Sequence, residues 1–282
     1  MRPALAIAVS IYLVYRLTEI GWGDVLAALP SSPIFYLITP ISFMVLPLIE
    51  RIVYRRLLPD ARSATVGLFA RKKVLNEALL AYSGEAYLYE RLTAGGTDKS
   101  RVLHAVKDNG IISALVGLMV TIILIGALIL VGRSDAVTAV FEAAPVAAIG
   151  FGVIVLVFVV GFGLFFRRIS QLNLPDFAAI TGLHTAKITL VLGLQVLQWT
   201  VALPGEPWRT WLLFLAVQML VKRLPFVPNA DLVFLGVGLG VAGFSHHGAD
   251  ALSGVLVASA AAIQVMHLIV FLATRERAVQ CA

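Results

Sequence analysis

The run Gly110–Val131, GIISALVGLMVTIILIGALILV, decides the fold: it contains no Asp, Glu, Lys, Arg or His. As an α-helix, at 1.5 Å per residue, it is about 33 Å long, enough to cross a hydrocarbon core roughly 30 Å thick. Seven more apolar stretches accompany it, at Pro3–Tyr15, Pro33–Ile49, Val146–Phe166, Ile188–Leu203, Trp208–Val221, Leu232–Phe244 and Ala251–Ala273. The 282 residues are 60% hydrophobic and only 13% charged, against about 25% charged in a soluble domain. These runs predict an all-α membrane protein, a polytopic helix bundle of about eight crossings, with residues 1–282 forming a single integral membrane domain. Met1–Tyr15 reads as a retained first helix, because no small-x-small cleavage site separates it from Arg16. Trp22, Trp199, Trp208 and Trp211 fall at or near predicted helix ends, where interfacial aromatics belong.

Net charge is +6. In a bilayer protein this excess reflects cytoplasmic Lys and Arg beside anionic headgroups rather than a nucleic-acid surface. Half of the 22 basic residues lie between Arg51 and Lys107. With that segment inside, alternation also brings Arg167, Arg168, Lys187, Lys222, Arg223, Arg275 and Arg277 inside and leaves Arg16, Arg133 and Arg209 outside. The expectation is a multi-pass protein of the cell inner (cytoplasmic) membrane with both termini cytoplasmic. The single cysteine, Cys281, excludes a disulfide framework and a thiolate metal site.

Two regions break the pattern. Leu232–Phe244 is too short to span as a helix and follows Pro225-Phe226-Val227-Pro228, which cannot continue one. Asn229 is a natural N-cap, so a broken span is expected, an extended lead-in followed by a half-helix. Ala64–Leu92 is moderately apolar but carries Arg71, Lys72, Lys73, Glu77, Glu85 and Glu90. Each charge at a lipid-facing helix centre costs about 2.5–3.5 kcal/mol, so this region is either a re-entrant hairpin buried in protein or an amphipathic interfacial helix. Asn76-Glu77-Ala78-Leu79-Leu80 and Asn229-Ala230-Asp231-Leu232-Val233 are similar. Paired broken helices of this kind suggest repeated halves, 1–168 and 169–282.

Enzyme motifs are absent: there is no Walker loop, HExxH, GxSxG or CxxC. His246-His247 with Asp250 lacks a fourth ligand and reads as a solvated loop, so neither metal nor cofactor is expected. His104 and Asp108 read as a capping or surface pair, and Gly236, Gly238, Gly240 and Gly243 as a close-packing face. Polar residues inside spans say more. Gln195 with Gln198, Gln218, and Gln264 with His267 avoid lipid and face the bundle interior, as interhelical glue or as a polar passage. Arg51 and Arg55, one turn apart and beside Arg56, join Arg71-Lys72-Lys73 and Lys222-Arg223 in a basic collar suited to phosphate headgroups.

The chain resembles the lysylphosphatidylglycerol synthase transmembrane family, a flippase-like membrane domain found alone or fused to an aminoacyl-transferase. The resemblance runs through IGWGDVLAALPSSPIFYL (Ile20–Leu37), RIVYRRLL (Arg51–Leu58), NEALLAYSGEAYLYER (Asn76–Arg91) and LPFVPNADLVFLGVGLGVAG (Leu224–Gly243). Asn76, Gly84 and Glu85 match the family's first motif, although its Pro is absent and Leu88 stands where Arg is expected. Pro228 matches the later motif, Asn229-Ala230 replaces Gly-Gly, and Asp231 substitutes for an acidic residue expected near Leu235. The resemblance implies a lipid translocase without aminoacyl transfer, since no soluble transferase domain is expected after Ala273.

These readings converge on a non-enzymatic protein that binds or translocates an anionic lipid, a phospholipid or polyprenyl-phosphate carrier. The collar gathers the headgroup, the Asn229 half-helix end faces an anion, and Glu85 and Asp231 meet a cationic group or a coupling proton. The alternatives are an intramembrane lipid-modifying enzyme using Glu85, Asp231 or His267, and a non-catalytic subunit of an envelope assembly. Expected partners are membrane lipids, with a second copy or an envelope-biosynthesis protein, and no nucleic acid. Reporter fusions at Thr97, Ser134, Gly205 and Ala282 test the topology. Thr97 and Ala282 should report cytoplasmic, and a periplasmic signal at either overturns the map.

Overall fold

The computed structural model describes residues 29–79, 82–132, 172–222 and 249–274, with isolated positions between them such as Phe234. These residues form seven helices: α1 Pro33–Leu57, α2 Val66–Ala78, α3 Ser83–Ala94, α4 Lys99–Leu130, α5 Leu174–Ala202, α6 Trp208–Val221 and α7 Ala249–Ala273. No strand occurs among the described residues.

Local chemistry sets the helix starts. Thr65, Asp98 and Asn173 are N-caps whose side chains accept from Leu68 N, Arg101 N and Asp176 N at 3.3, 2.9 and 2.8 Å, each satisfying an orphan amide of a first turn. Pro33 opens α1, where its missing N–H is no loss. Pro40 and Pro47 lie inside α1, and each removes the donor for the carbonyl four residues back, Tyr36 and Phe43. Neighbouring helices make such sites tolerable in membrane helices.

Four helices are long and apolar enough to cross a membrane: α1, α4, α5 and, within α7, Gly254–Ala273. Their outward faces are apolar. Leu37, Ile41, Ile52, Ile122, Ile123, Leu190 and Ile269 are exposed, the reverse of a soluble surface and the composition lipid requires. α6 matches its expected bounds and differs in environment: every residue from Trp211 to Val221 except Leu212 is buried, as expected of a helix apolar on all sides. α1 packs most extensively on α5, α4 lies against α5 and α6, and α7 closes on α1 and α2.

Of the expected crossings, Pro33–Ile49, Gly110–Val131, Ile188–Leu203, Trp208–Val221 and Ala251–Ala273 fall on helices. Pro3–Tyr15 and Leu232–Phe244 lie outside the described residues except for Phe234, as do nearly all of Val146–Phe166 and the segment Asn229–Val233 on which the expectation of repeated halves rests. Trp199 and Trp211 are not interfacial. They are buried, with ring centroids 5.6 Å apart, and Phe214 and Phe234 complete the cluster. Burying two indoles against each other removes more apolar surface than exposing one at each helix end. Trp208, by contrast, is exposed.

Ala64–Leu92 forms a helical hairpin, α2 and α3, with Tyr82 in the left-handed region (φ 70°) just before α3. It is packed into the protein rather than laid on its surface. Leu68, Phe69, Val74 and Leu75 are buried, in clusters shared with Tyr54 of α1, Val102 of α4 and Phe271 of α7. At the crossing, Gly84 N donates to Asn76 Oδ1 at 2.7 Å, and Ser83 Oγ donates to Leu75 O at 2.8 Å. A Cβ on Gly84 would overlap the Lys72 carbonyl oxygen, so only glycine lets the two helices approach this closely.

Gly84→Ala should therefore destabilise by about 1–3 kcal/mol, read as a lower thermal unfolding midpoint in detergent. Gly67→Ala is the matched control. Its Cβ would meet only Thr274 Cγ2 at 3.8 Å, so it should be neutral or slightly stabilising. Equal losses in the two variants would contradict the close-approach account.

Candidate functional site

The helices enclose a cavity of about 260 Å³. α1 contributes Thr39, Ser42, Phe43 and Leu46, and α5 contributes Lys187, Val191, Gln195 and Gln198. Both sets follow the spacing of a single helical face. α2 adds Lys73 and Glu77, α4 Ser113, α6 Gln218, and α7 Ser259 and Ile263, with Lys222 just past the end of α6. The lining thus carries three ammonium groups, one carboxylate, three amides and four hydroxyls. The remainder, with Leu192, Met219 and Leu256, is apolar.

Several of these polar groups are fixed from behind. Gln198 Nε2 donates to Thr39 Oγ1 at 2.8 Å and to Phe35 O at 3.0 Å, tying α5 to α1. Lys73 pairs with Glu77 one turn on and lies 5.0 Å from the Phe43 ring centroid. The other Glu77 oxygen, Oε2, is 3.0 Å from His267 Nε2, and His267 Nδ1 is 3.4 Å from Gln264 Oε1. His267 is fully buried, whereas the Glu77 side chain is 36% exposed and lines the cavity. Burial works against ionisation of Glu77. Lys73 foremost, then His267 and Lys222, outweighs it and holds the carboxyl well below its usual range.

Behind this wall lies a second polar network. Lys72, adjacent in sequence but turned away from the cavity, donates to Glu50 of α1 at 2.7 and 2.9 Å and pairs with Glu85 of α3 at 3.2 Å. The Lys72 and Glu50 side chains are only 4% and 5% exposed. Burial alone would lower the Lys72 pKa; Glu50, Tyr54 and Glu85 more than compensate, so the ammonium is held above its ordinary range. On α5, His184 links outward. Lys187 Nζ is 2.9 Å from its Nδ1, and its Nε2 is 2.9 Å from Asn109 Oδ1 of α4. Lys187 also reaches Ser113 at 3.4 Å.

No family model matches the chain, and neither does any curated protein or solved structure. The site must be read from its own geometry.

That geometry redistributes the residues singled out in the sequence. Asn76, Gly84 and Glu85 come together, but at the α2–α3 crossing, where they brace the hairpin. Glu85 meets Lys72 and does not line the cavity. Arg51 and Arg55 lie near the C-terminal end of α1, outside the lining, with Arg51 Nε buried and without a hydrogen-bond partner among the described residues. Lys222 does line the cavity. Arg223, Pro228, Asn229 and Asp231 lie outside the described residues. The intraspan glutamines were the correct signal, since Gln195, Gln198 and Gln218 all face the cavity. Lys73 was read only as part of the basic collar, and Glu77 and Lys187 were not singled out as a site, because as isolated charges they resemble topology signals.

The Lys72 network yields a stability test. Lys72→Met should destabilise by about 3–5 kcal/mol, because it leaves Glu50 buried without its cation. Glu50→Gln added to Lys72→Met should recover most of the loss in thermal unfolding. A double variant no better than Lys72→Met would mean that the pair is not the source of the effect.

Proposed function

We propose that this chain is a flippase-like protein of the cell inner membrane that binds an anionic lipid by its headgroup and carries that headgroup across the bilayer. The observation that supports this reading best is the cavity, lined by Lys73, Lys187 and Lys222 together with aliphatic and aromatic side chains. A phosphate cannot enter hydrocarbon without losing its hydration, which costs many kcal/mol. Ammonium and amide groups fixed inside a bundle replace the lost water with charge-assisted hydrogen bonds. About 260 Å³ suits a headgroup and not two acyl chains, so the tails remain along the apolar exterior. Arg51 and Arg55 near the end of α1 serve as the collar that gathers lipid before it enters. Both termini cytoplasmic is the orientation that fits the Lys/Arg distribution, and the resemblance to the lysylphosphatidylglycerol synthase transmembrane family points to the same class of activity.

A second reading, an intramembrane lipid-modifying enzyme, is favoured by one observation, the carboxylate–imidazole pair Glu77–His267 at the cavity wall. Against it, His267 is fully buried with both ring nitrogens already occupied, so the ring cannot touch a substrate directly.

The purified protein in liposomes should accelerate redistribution of labelled phosphatidylglycerol between leaflets and leave the lipid mass unchanged. Lys187→Gln should slow this roughly tenfold, the loss expected for one charge-assisted hydrogen bond. Arg51→Gln with Arg55→Gln should weaken capture more at low salt, where exposed charges are least screened. A covalently altered lipid formed by wild type and not by Glu77→Gln would replace the transporter reading with the enzymatic one.

A further inference from the structure

His267 meets Glu77 from outside the cavity lining. Its Nε2 faces Glu77 Oε2 at 3.0 Å and its Nδ1 faces Gln264 Oε1 at 3.4 Å. With one proton, the ring donates to the carboxylate from Nε2 and accepts at Nδ1 from the Gln264 amide in its turned orientation. With two protons it donates to both. Glu77 in turn has Lys73 on its own helix, His267 on α7 and Lys222 beyond α6 as candidate counter-ions. Lys73 and Lys222 line the cavity and His267 does not.

We propose that the cavity couples headgroup binding to proton uptake: an anionic headgroup draws the Lys73 ammonium away from Glu77, and His267 takes up a proton to replace it as the counter-ion of Glu77. The proposal rests on the anionic-lipid reading given above and adds a coupled proton to it.

The surroundings single out His267 as the proton acceptor. Among the charged groups around it, α2 presents Glu77 and Lys73, while Arg71 of the same helix is directed to the Phe271 ring and to the Thr274 carbonyl. α1 presents the Phe43 ring, 5.8 Å away, and its nearest carboxylate, Glu50, is held by Lys72. Lys222, beyond α6, and Lys187, on α5, belong to the cavity wall. The other ionisable residue of α7, Asp250, lies about 25 Å along the helix. With Lys73 turned to a headgroup, the carboxylate beside His267 is left without its nearest cation, and a nearby carboxylate favours the charged form of a neighbouring imidazole. The proton comes from a hydronium ion of the surrounding water: one of its O–H bonds breaks, leaving water, as the ring gains one N–H. A singly charged headgroup in the cavity and one proton on His267 are then bound together with no change in net charge.

Isothermal titration of the full chain in detergent with short-chain phosphatidylglycerol, whose phosphate does not titrate near neutrality, tests this directly. Runs between pH 6 and 8 in two buffers of different ionisation enthalpy count the protons. Wild type should take up close to one proton per lipid at some pH in this range, and its affinity should fall by up to tenfold for each unit of rising pH. His267→Gln and Glu77→Gln should each bind without proton uptake and with a flat pH profile. Wild-type binding without uptake overturns the coupling and leaves the lipid site standing. Uptake that survives in His267→Gln also overturns it, as does equal uptake with short-chain phosphatidylcholine, whose headgroup has no net charge. Absence of saturable wild-type binding at every pH would instead refute the underlying lipid reading.

Discussion

A charge inside a low-dielectric bundle must have a partner, and α2 shows how much structure follows from that rule. Its adjacent lysines, Lys72 and Lys73, diverge by about 100° around the helix axis. One is bound to Glu50 of α1 and Glu85 of α3, and the other to Glu77 at the cavity. Arg71 completes the set by reaching Thr274 at the end of α7. Three consecutive cations thus hold a short and only moderately apolar helix against α1, α3 and α7. Its own hydrophobicity would not keep it there, since α2 has neither the length nor the composition of the four long apolar helices.

The same rule explains which parts of the molecule were legible in its sequence. Uncharged runs identify bilayer helices because hydrocarbon excludes charge, and so α1, α4, α5, α6 and α7 could be placed in advance. The charges of Ala64–Leu92 excluded a lipid-facing span for that region, and a hairpin packed in protein is what the structure holds. Glutamines spaced three apart announced an inward face. Periodicity identifies a face and not its partner, however. Glu50 and Lys72 meet across a turn between two helices, and Glu77 and His267 meet from nearly opposite ends of the chain. Neither pairing has a local signature.

The motif residues Asn76, Gly84 and Glu85 were legible as a group, although their group role proved architectural. Asn76 and Gly84 set how closely α2 and α3 cross, and Glu85 helps to neutralise Lys72. A short sequence match therefore marked the brace of the site, while the cavity itself was carried by residues that composition alone makes inconspicuous. The tryptophans misled for a related reason. Proximity to a helix end makes Trp199 and Trp211 candidates for a headgroup belt, but the ends of α5 and α6 meet inside the bundle, so the indoles pack against each other.

The divergence of Lys72 and Lys73 also fixes the phase of α2. Inserting or deleting one residue upstream of this pair within the helix would turn the following side chains by about 100°. Lys73 would then be directed toward Glu50 or Lys72 toward the cavity, and Asn76 would lose Gly84 in the same step. Most single substitutions in α2 remove one contact, whereas a change of length dismantles the inner brace and the cavity wall together. This helix should therefore tolerate variation in residue identity far better than variation in residue number, and insertions acceptable in the surrounding loops have no counterpart here.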